Sequence, residues 1–406
     1  MLYPNSLQAV LLFDRALPDL DAMMRDFTRI EAMRSGTTFS PNETIPGRLH
    51  RLFVPGEELN VSFELMNGPP KMQVLAPALG SAYIGIVTPD IRQRVARAAS
   101  HVIIEVSHGV LAGVEAIPGV AKMMGELGMA RAGATRAEFE RRLGVLALAA
   151  RVAIDHTMPV AVHWTQSDQL VSGEAFDHLA GMEGVPGPLH IHPYLFGPRP
   201  APGEEQLVGF RTFGARHWLG REIIVQPNVL PWDANLDTVF AFLRLATMPN
   251  GYVIPHGDTF GPEDRSLSYK VLHHAVGDDI GYQEPEPADV PFYELLPLKH
   301  LAHGFVAPAH VPEANAFDDR AFPVGLMPED QDAKAALANE WAEKRRLAEG
   351  VGGRFEVRAA GPEGAAPPDP PSPPPAPVSA PTPSQPGMPG LSGRGLRARV
   401  FGRKGL

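Results

Sequence analysis

His190 and His192 lie two residues apart, a spacing that in extended chain puts both imidazoles on one side of the backbone, as a metal pair requires. His256 and Asp258 repeat that spacing with a carboxylate as the second member. Joined in space, these four could hold zinc or iron and activate water for hydrolysis. His273, His274, His300, His303 and His310 add further imidazoles among fifteen in the chain. The competing reading makes them surface or hydrogen-bonded core histidines in a proline-rich setting, because no pair stands at an established ligand spacing beside a catalytic carboxylate. On that reading no catalytic residue, no metal and no cofactor is assigned.

Other chemistry is thinner. The chain contains no cysteine, which removes thiolate metal sites, disulfides and cysteine nucleophiles. No phosphate-cradling loop, dinucleotide glycine fingerprint, nucleophile elbow or HExxH helix occurs. Glu105, between Ile104 and Val106, reads either as a buried acid or as one partner of a neighbour. Arg211 and Arg216 near Glu222 fit a structural ion pair better than an anion site.

The elements that must position these residues read as α+β. Gln8 to Phe13 reads as a strand, and Asp19 to Ile30 as a helix with Leu20, Met23, Met24 and Phe27 at helical spacing. Leu59, Val61, Phe63 and Leu65 alternate with polar neighbours as a half-buried strand does, and Asn67-Gly68 predicts a hairpin turn into a strand over Lys71 to Leu75. A helix over Ile91 to Ala99 precedes a strand from His101 to Val106. Thr135 with Glu138 three residues later forms a capping-box signature for a long helix that is apolar around most of its circumference from Leu143 to Ile154.

Strands follow at Val160 to Trp164, Gln206 to Phe213, Arg221 to Gln226, Tyr252 to Pro255 and Ser268 to Ala275, with helices at Asn235 to Thr247 and Asp332 to Glu349. The order predicts two related two-layer sandwiches of mainly antiparallel sheet with helices on one face, spanning residues 1–180 and 206–358. A Gly/Pro-rich connector, 181–205, would join them. Residues 359–393 hold proline at 13 of 35 positions, a composition expected to stay disordered.

Net charge is −10, and residues 1–358 alone carry 31 basic against 44 acidic residues. That acidity argues against nucleic-acid binding, which relies on lysine and arginine at phosphates. No apolar stretch is long enough to span a membrane, and Met1 to Leu20 lacks the pattern of a signal peptide, so a cytoplasmic location is expected. Residues 394–406 differ from the body. Leu396, Val400 and Phe401 stand among Arg397, Arg399, Arg403 and Lys404, a composition that reads as a tethered recognition peptide for an acidic protein surface or as a basic end that merely stays solvated, with docking on anionic membrane weakened by the few apolar anchors.

The run Gly209-Phe210-Arg211-Thr212-Phe213-Gly214-Ala215-Arg216-His217-Trp218-Leu219-Gly220-Arg221-Glu222-Ile223 resembles the bacterial family called domain of unknown function 4261. His256-Gly257-Asp258-Thr259-Phe260-Gly261 is similar to that family's later Gly-Asp-Thr segment. The resemblance implies Gly214, His217, Gly220, Glu222 and Asp258 as signature positions, coverage of roughly residues 7–300 and a bacterial setting. It brings no assigned chemistry. The expectation drawn from all of this is a non-catalytic accessory, immunity-like or secretion-associated module that binds another protein, the alternative being a metal-dependent hydrolase built on His190, His192, His256 and Asp258.

Overall fold

The computed structural model describes residues 3–4, 6–14, 18–55, 59–108, 135–182, 187–203, 205–248, 251, 253–262, 264–278, 290–307, 333–340 and 343. The proline-rich segment and the basic peptide from Leu396 to Lys404 lie outside the described residues. The fold is α+β, built on two mainly antiparallel sheets.

The first sheet comprises β1 (Ser6–Phe13), β2 (Ser40–Ile45), β3 (Leu49–Phe53), β4 (Leu59–Met66), β5 (Ser100–His108), β6 (Ala161–Trp164) and β7 (Gln169–Val171), in the order β2-β3-β4-β5-β1-β6-β7. Its central strand β1 alternates between two cores. Leu7, Ala9, Leu11 and Phe13 join the main core, whereas Val10 and Leu12 face a second one. A strand covered on both faces reads as the near-continuous apolar run seen here.

On the main-core side lie α1 (Leu20–Ser35) and α5 (Arg136–His156). The N-terminus of α1 is capped by Asp19, whose carboxylate accepts from the Ala22 amide, and its C-terminus closes on Gly36 in the left-handed conformation. Helix α5 starts at the expected capping box: Thr135 Oγ1 accepts from the Glu138 amide at 3.3 Å, and the Glu138 carboxylate accepts from the Thr135 amide at 2.6 Å. It buries Phe139, Leu143, Leu146, Ala149, Ala150 and Ala153.

On the other side, α2 (Met72–Gly80), α3 (Ala82–Val87) and α4 (Ile91–Ala96) cover Val10, Leu12, Ala161 and Leu170 with Leu75, Ala78, Leu79, Ile84, Ile91 and Val95. Helices therefore cover both faces of this sheet, an addition to the single helical layer expected. The strand expected over Lys71 to Leu75 is instead the start of α2. Asn67-Gly68 is followed by Pro69 and Pro70, which cannot donate to a returning strand, and Leu75, Ala78 and Leu79 carry helical spacing despite Pro77 within the helix.

The second sheet is β8 (His192–Phe196), β9 (Val208–Phe213), β10 (Glu222–Asn228), β11 (Thr259–Phe260), β12 (Leu267–His274), β13 (Phe292–His300) and β14 (Phe305–Val306). The order is β11-β12-β13-β10-β9-β8, with β14 beside β13. Only the β10–β13 pairing is parallel among those described, and the long passage between these strands carries the crossover that a parallel pair needs. Strand β8 lies inside the stretch expected as an irregular connector, after a 3-10 turn at Pro188–His190. Val253 to Pro255, expected in a strand, are not in one, and Tyr252 lies outside the described residues.

Residues of both sheets belong to one main core, which runs from Leu7 and Phe63 to Tyr269 and Tyr293. The short helices α6 (Gly173–Ala180) and α7 (Arg216–Leu219) and the longer α8 (Trp232–Thr247) fill it. Phe139 of α5 meets Trp218 of α7 edge-on at 5.3 Å, and Arg136 donates to the carbonyl of Thr247 at the end of α8. Among the described residues no helix is long and apolar enough to cross a membrane.

Because α5 packs on β1 and β5 of the first sheet and reaches α7 and α8 through Phe139 and Arg136, its start is a sensitive point. Thr135→Ala removes one half of the capping box, and the expected loss is about 1 kcal/mol of unfolding free energy, measured by urea titration with an unchanged slope.

Candidate functional site

A polar constellation forms where the β6–β7 hairpin meets β8. Trp164 pairs with Gln169, leaving Thr165 to Asp168 as the loop, and Asp168 sits at φ +53°. Asp and Asn tolerate this left-handed conformation better than other residues with a side chain. Both acceptors of Asp168 reach β8. Its carboxylate takes a hydrogen bond from Tyr194 Oη at 2.6 Å and pairs with His163 Nε2 at 2.8 Å, while its carbonyl oxygen lies 3.0 Å from His192 Nδ1.

His192 is fully buried, stacked on Tyr194 at 4.3 Å and flanked by Tyr83 at 5.5 Å. Its Nε2 lies 2.8 Å from Ser81 Oγ. A carbonyl can only accept, so in the neutral ring Nδ1 carries the hydrogen and Nε2 receives the Ser81 hydroxyl proton as acceptor. Burial holds the ring neutral by lowering its pKa to about 4, against an opposing pull from the Asp168 carbonyl and carboxylate. Burial, with the Asp168 hydrogen bond second, pushes the Tyr194 phenol far upward, so it remains a donor. Backbone pins steady the seam: Ser167 Oγ donates to Leu189 O at 2.6 Å, and Gln169 Nε2 donates to Ile191 O at 2.8 Å.

Gly214, His217, Gly220 and Glu222 lie in a second constellation at the reversal between β9 and β10. The Glu222 carboxylate, fully buried on β10, accepts from Thr212 Oγ1 at 2.7 Å and from the amides of Gly214 and Ala215 at 3.0 and 3.1 Å, and Arg216 Nε stands 3.9 Å away. Burial raises its pKa, and these bonds work against the rise. Gly214 has φ +109°, and a Cβ there would lie 2.3 Å from the His190 carbonyl oxygen. Gly220 closes α7 in the left-handed conformation. His217 is buried against Phe139 at 5.5 Å, where burial lowers its pKa to about 4. This group braces a turn through a carboxylate, with the glycines supplying conformations and space that side chains would deny.

The proposed metal ligands do not converge. His190 ends a 3-10 turn and His192 begins a strand, so the two-residue rule for extended chain does not apply between them. His190 packs between Trp164 at 5.6 Å and Trp218 at 6.0 Å, whereas both nitrogens of His192 are engaged by Asp168 and Ser81. His256 Nδ1 accepts from the His273 amide at 3.0 Å, and Asp258 is buried with its backbone bonded to Pro255 and Val271. Among the described residues no three of histidine, aspartate and glutamate could together hold a metal ion. Glu105 resolves into a cross-strand acceptor for Ser6 Oγ and Gln8 Nε2.

One surface feature went unseen because the Lys71 to Leu75 segment read as a strand. Residues 72 to 89 contain no charged side chain, and in the folded chain they present Met72 at 50%, Val74 at 54%, Ile86 at 52% and Val87 at 44% exposure. The signal was available as an uncharged run in an acidic chain.

No protein-family model matches the chain, no curated protein matches it, and no solved structure does.

Two measurements follow from the buried groups. Burial lowers the pKa of His190, His192 and His217 to about 4 and of His273 to about 3, below the ordinary value of 6.5. The unfolded chain takes up these protons first as pH falls, so their stabilisation is complete above about pH 6.5 and lost progressively down to about pH 4. Glu222, raised, acts in the opposite sense at the acid end. The melting temperature should be flat from pH 7 to 8.5 and on the order of 5 °C or more lower at pH 5. Separately, Gly214→Ala should lower stability by roughly 2–4 kcal/mol, read by the same titration, because the new Cβ meets backbone at a positive φ.

Proposed function

We propose that this protein is a protein-binding accessory module that docks a partner through the exposed side of α2 and α3. The carrying observation is the 72–89 run: Met72, Val74, Ile86 and Val87 are about half exposed without one charged neighbour in the run, in a body with 31 basic and 44 acidic residues. Leu75, Ala78, Leu79 and Ile84 anchor these helices to the sheet, and the outward apolar residues stand outside that cluster. Exposed apolar surface of this kind, on an otherwise charged protein, marks association sites. Membership in the domain of unknown function 4261 family, proposed from Gly209 to Ile223, agrees with a module lacking an assigned reaction. The immunity-like or secretion-associated role is part of the same proposal.

The test is direct. Val74→Glu and Ile86→Glu are exposed changes expected to leave the melting temperature within about 2 °C, since surface substitutions cost within about 0.5 kcal/mol. Each should abolish recovery of a partner captured from host extract by the wild-type protein, while Arg29→Glu on the exposed side of α1 should not. A wild-type protein that captures nothing specific at low and moderate salt, or a partner equally retained by both glutamate variants, would overturn the reading. Light scattering on the wild type distinguishes a second copy of this chain from a different partner.

A further inference from the structure

We propose that Ser81 is a nucleophile, with His192 as its general base, able to accept an acyl group from an ester whose acyl or alcohol part is apolar. The inference goes beyond the docking role and needs no partner protein, so the two fail independently.

Ser81 occupies the corner between α2 and α3 and is the residue immediately before α3. A serine there ordinarily turns its hydroxyl onto its own helix, a bond worth about 1 kcal/mol. Ser81 makes no such bond. Its hydroxyl points to His192 Nε2 at an oxygen–nitrogen distance of 2.8 Å, within the range over which nucleophile activation passes a proton. The Asp168 carbonyl behind Nδ1 fixes the tautomer that leaves Nε2 basic, and the Asp168 carboxylate lies close enough to favour the imidazolium that proton transfer would create. Asp168 is thus the positioning residue, itself held by Tyr194 and His163. A nucleophile, a base and an orienting group in sequence are the parts this chemistry requires.

The reaction needs an ester to reach the buried Ser81 hydroxyl from the side of the chain where its neighbours are exposed. Ser81 keeps 8% exposure, its neighbours Gly80 and Ala82 are exposed, and a side chain at Gly80 would meet nothing within 4 Å. Val74, Ile86 and Val87, exposed in the same uncharged run as Ser81, would favour an apolar group over a charged one. In the reaction the Ser81 proton passes to His192 Nε2 as Oγ bonds to the ester carbonyl carbon. The carbon–oxygen bond to the alcohol then breaks, and His192 returns the proton to the departing oxygen. Water, deprotonated by the same imidazole, releases the acid and restores Ser81.

The experiment uses the full chain and an alkyl fluorophosphonate, followed by peptide mass spectrometry, with p-nitrophenyl butyrate hydrolysis in parallel. The expected result is an adduct on Ser81 that is absent in Ser81→Ala and at least about 100-fold slower in His192→Gln, the usual worth of a general base. Because His192→Gln sits at a buried position, Ser81→Cys supplies a second readout. It introduces the sole cysteine of the chain, and its thiol should react with iodoacetamide at pH 6 faster than free cysteine if His192 draws off its proton. A folded wild type with no Ser81 adduct, or a Ser81→Cys thiol no faster than free cysteine, overturns the proposal and leaves the Ser81–His192 bond as a structural tie.

Discussion

Asp168 is the point on which the seam between the sheets depends. A carboxylate withdrawn from water needs partners on its oxygens, and here they come from both sheets: His163 on β6 and Tyr194 on β8. The same residue offers its carbonyl to His192, which is possible because the left-handed backbone turns main chain and side chain toward β8 together. Tyr194 and His192 then stack on one another, so the edge strand of the second sheet is held to the hairpin of the first by a residue pair rather than by ladder hydrogen bonds.

Behind that seam the packing is aromatic. Trp164, His190 and Trp218 stand in succession, and Phe139 of α5 completes the row. The close approach of the Gly214 backbone to the His190 carbonyl belongs to the same arrangement, since any side chain at 214 would push β9 away from the 3-10 turn. Glu222 holds the other side of this turn by accepting the amides of Gly214 and Ala215. The glycines and the glutamate of the signature run are therefore explained by one local requirement. It is the tight reversal between β9 and β10 that places Trp218 in the core.

Burial also decides what the histidines do. In the low-dielectric seam the charged form of an imidazole is disfavoured, so His190, His192 and His217 are neutral at ordinary pH. For His192 neutrality is what makes Nε2 an acceptor for Ser81. Commitment of both ring nitrogens to protein partners is equally what removes it from metal binding.

Sequence by itself determined the local elements whose signals are complete within a few residues: the capping box at Thr135, the alternation from Leu59 to Met66, the apolar run of β5 and the amphipathic start of α1. It determined the α+β class and the absence of thiol chemistry. Tertiary structure decided what depends on partners distant in the chain. Pro69, Pro70 and the helical spacing of Leu75, Ala78 and Leu79 already argue locally for a helix over Met72 to Gly80, and the fold adds the sheet face that these three residues cover. That Ser81 meets His192 across 111 residues, and that His190 and His192 part company, follows from Asp168 and from the change of backbone between a 3-10 turn and a strand. Spacing along a chain fixes side-chain direction only while the backbone conformation stays constant, and at the seam it does not.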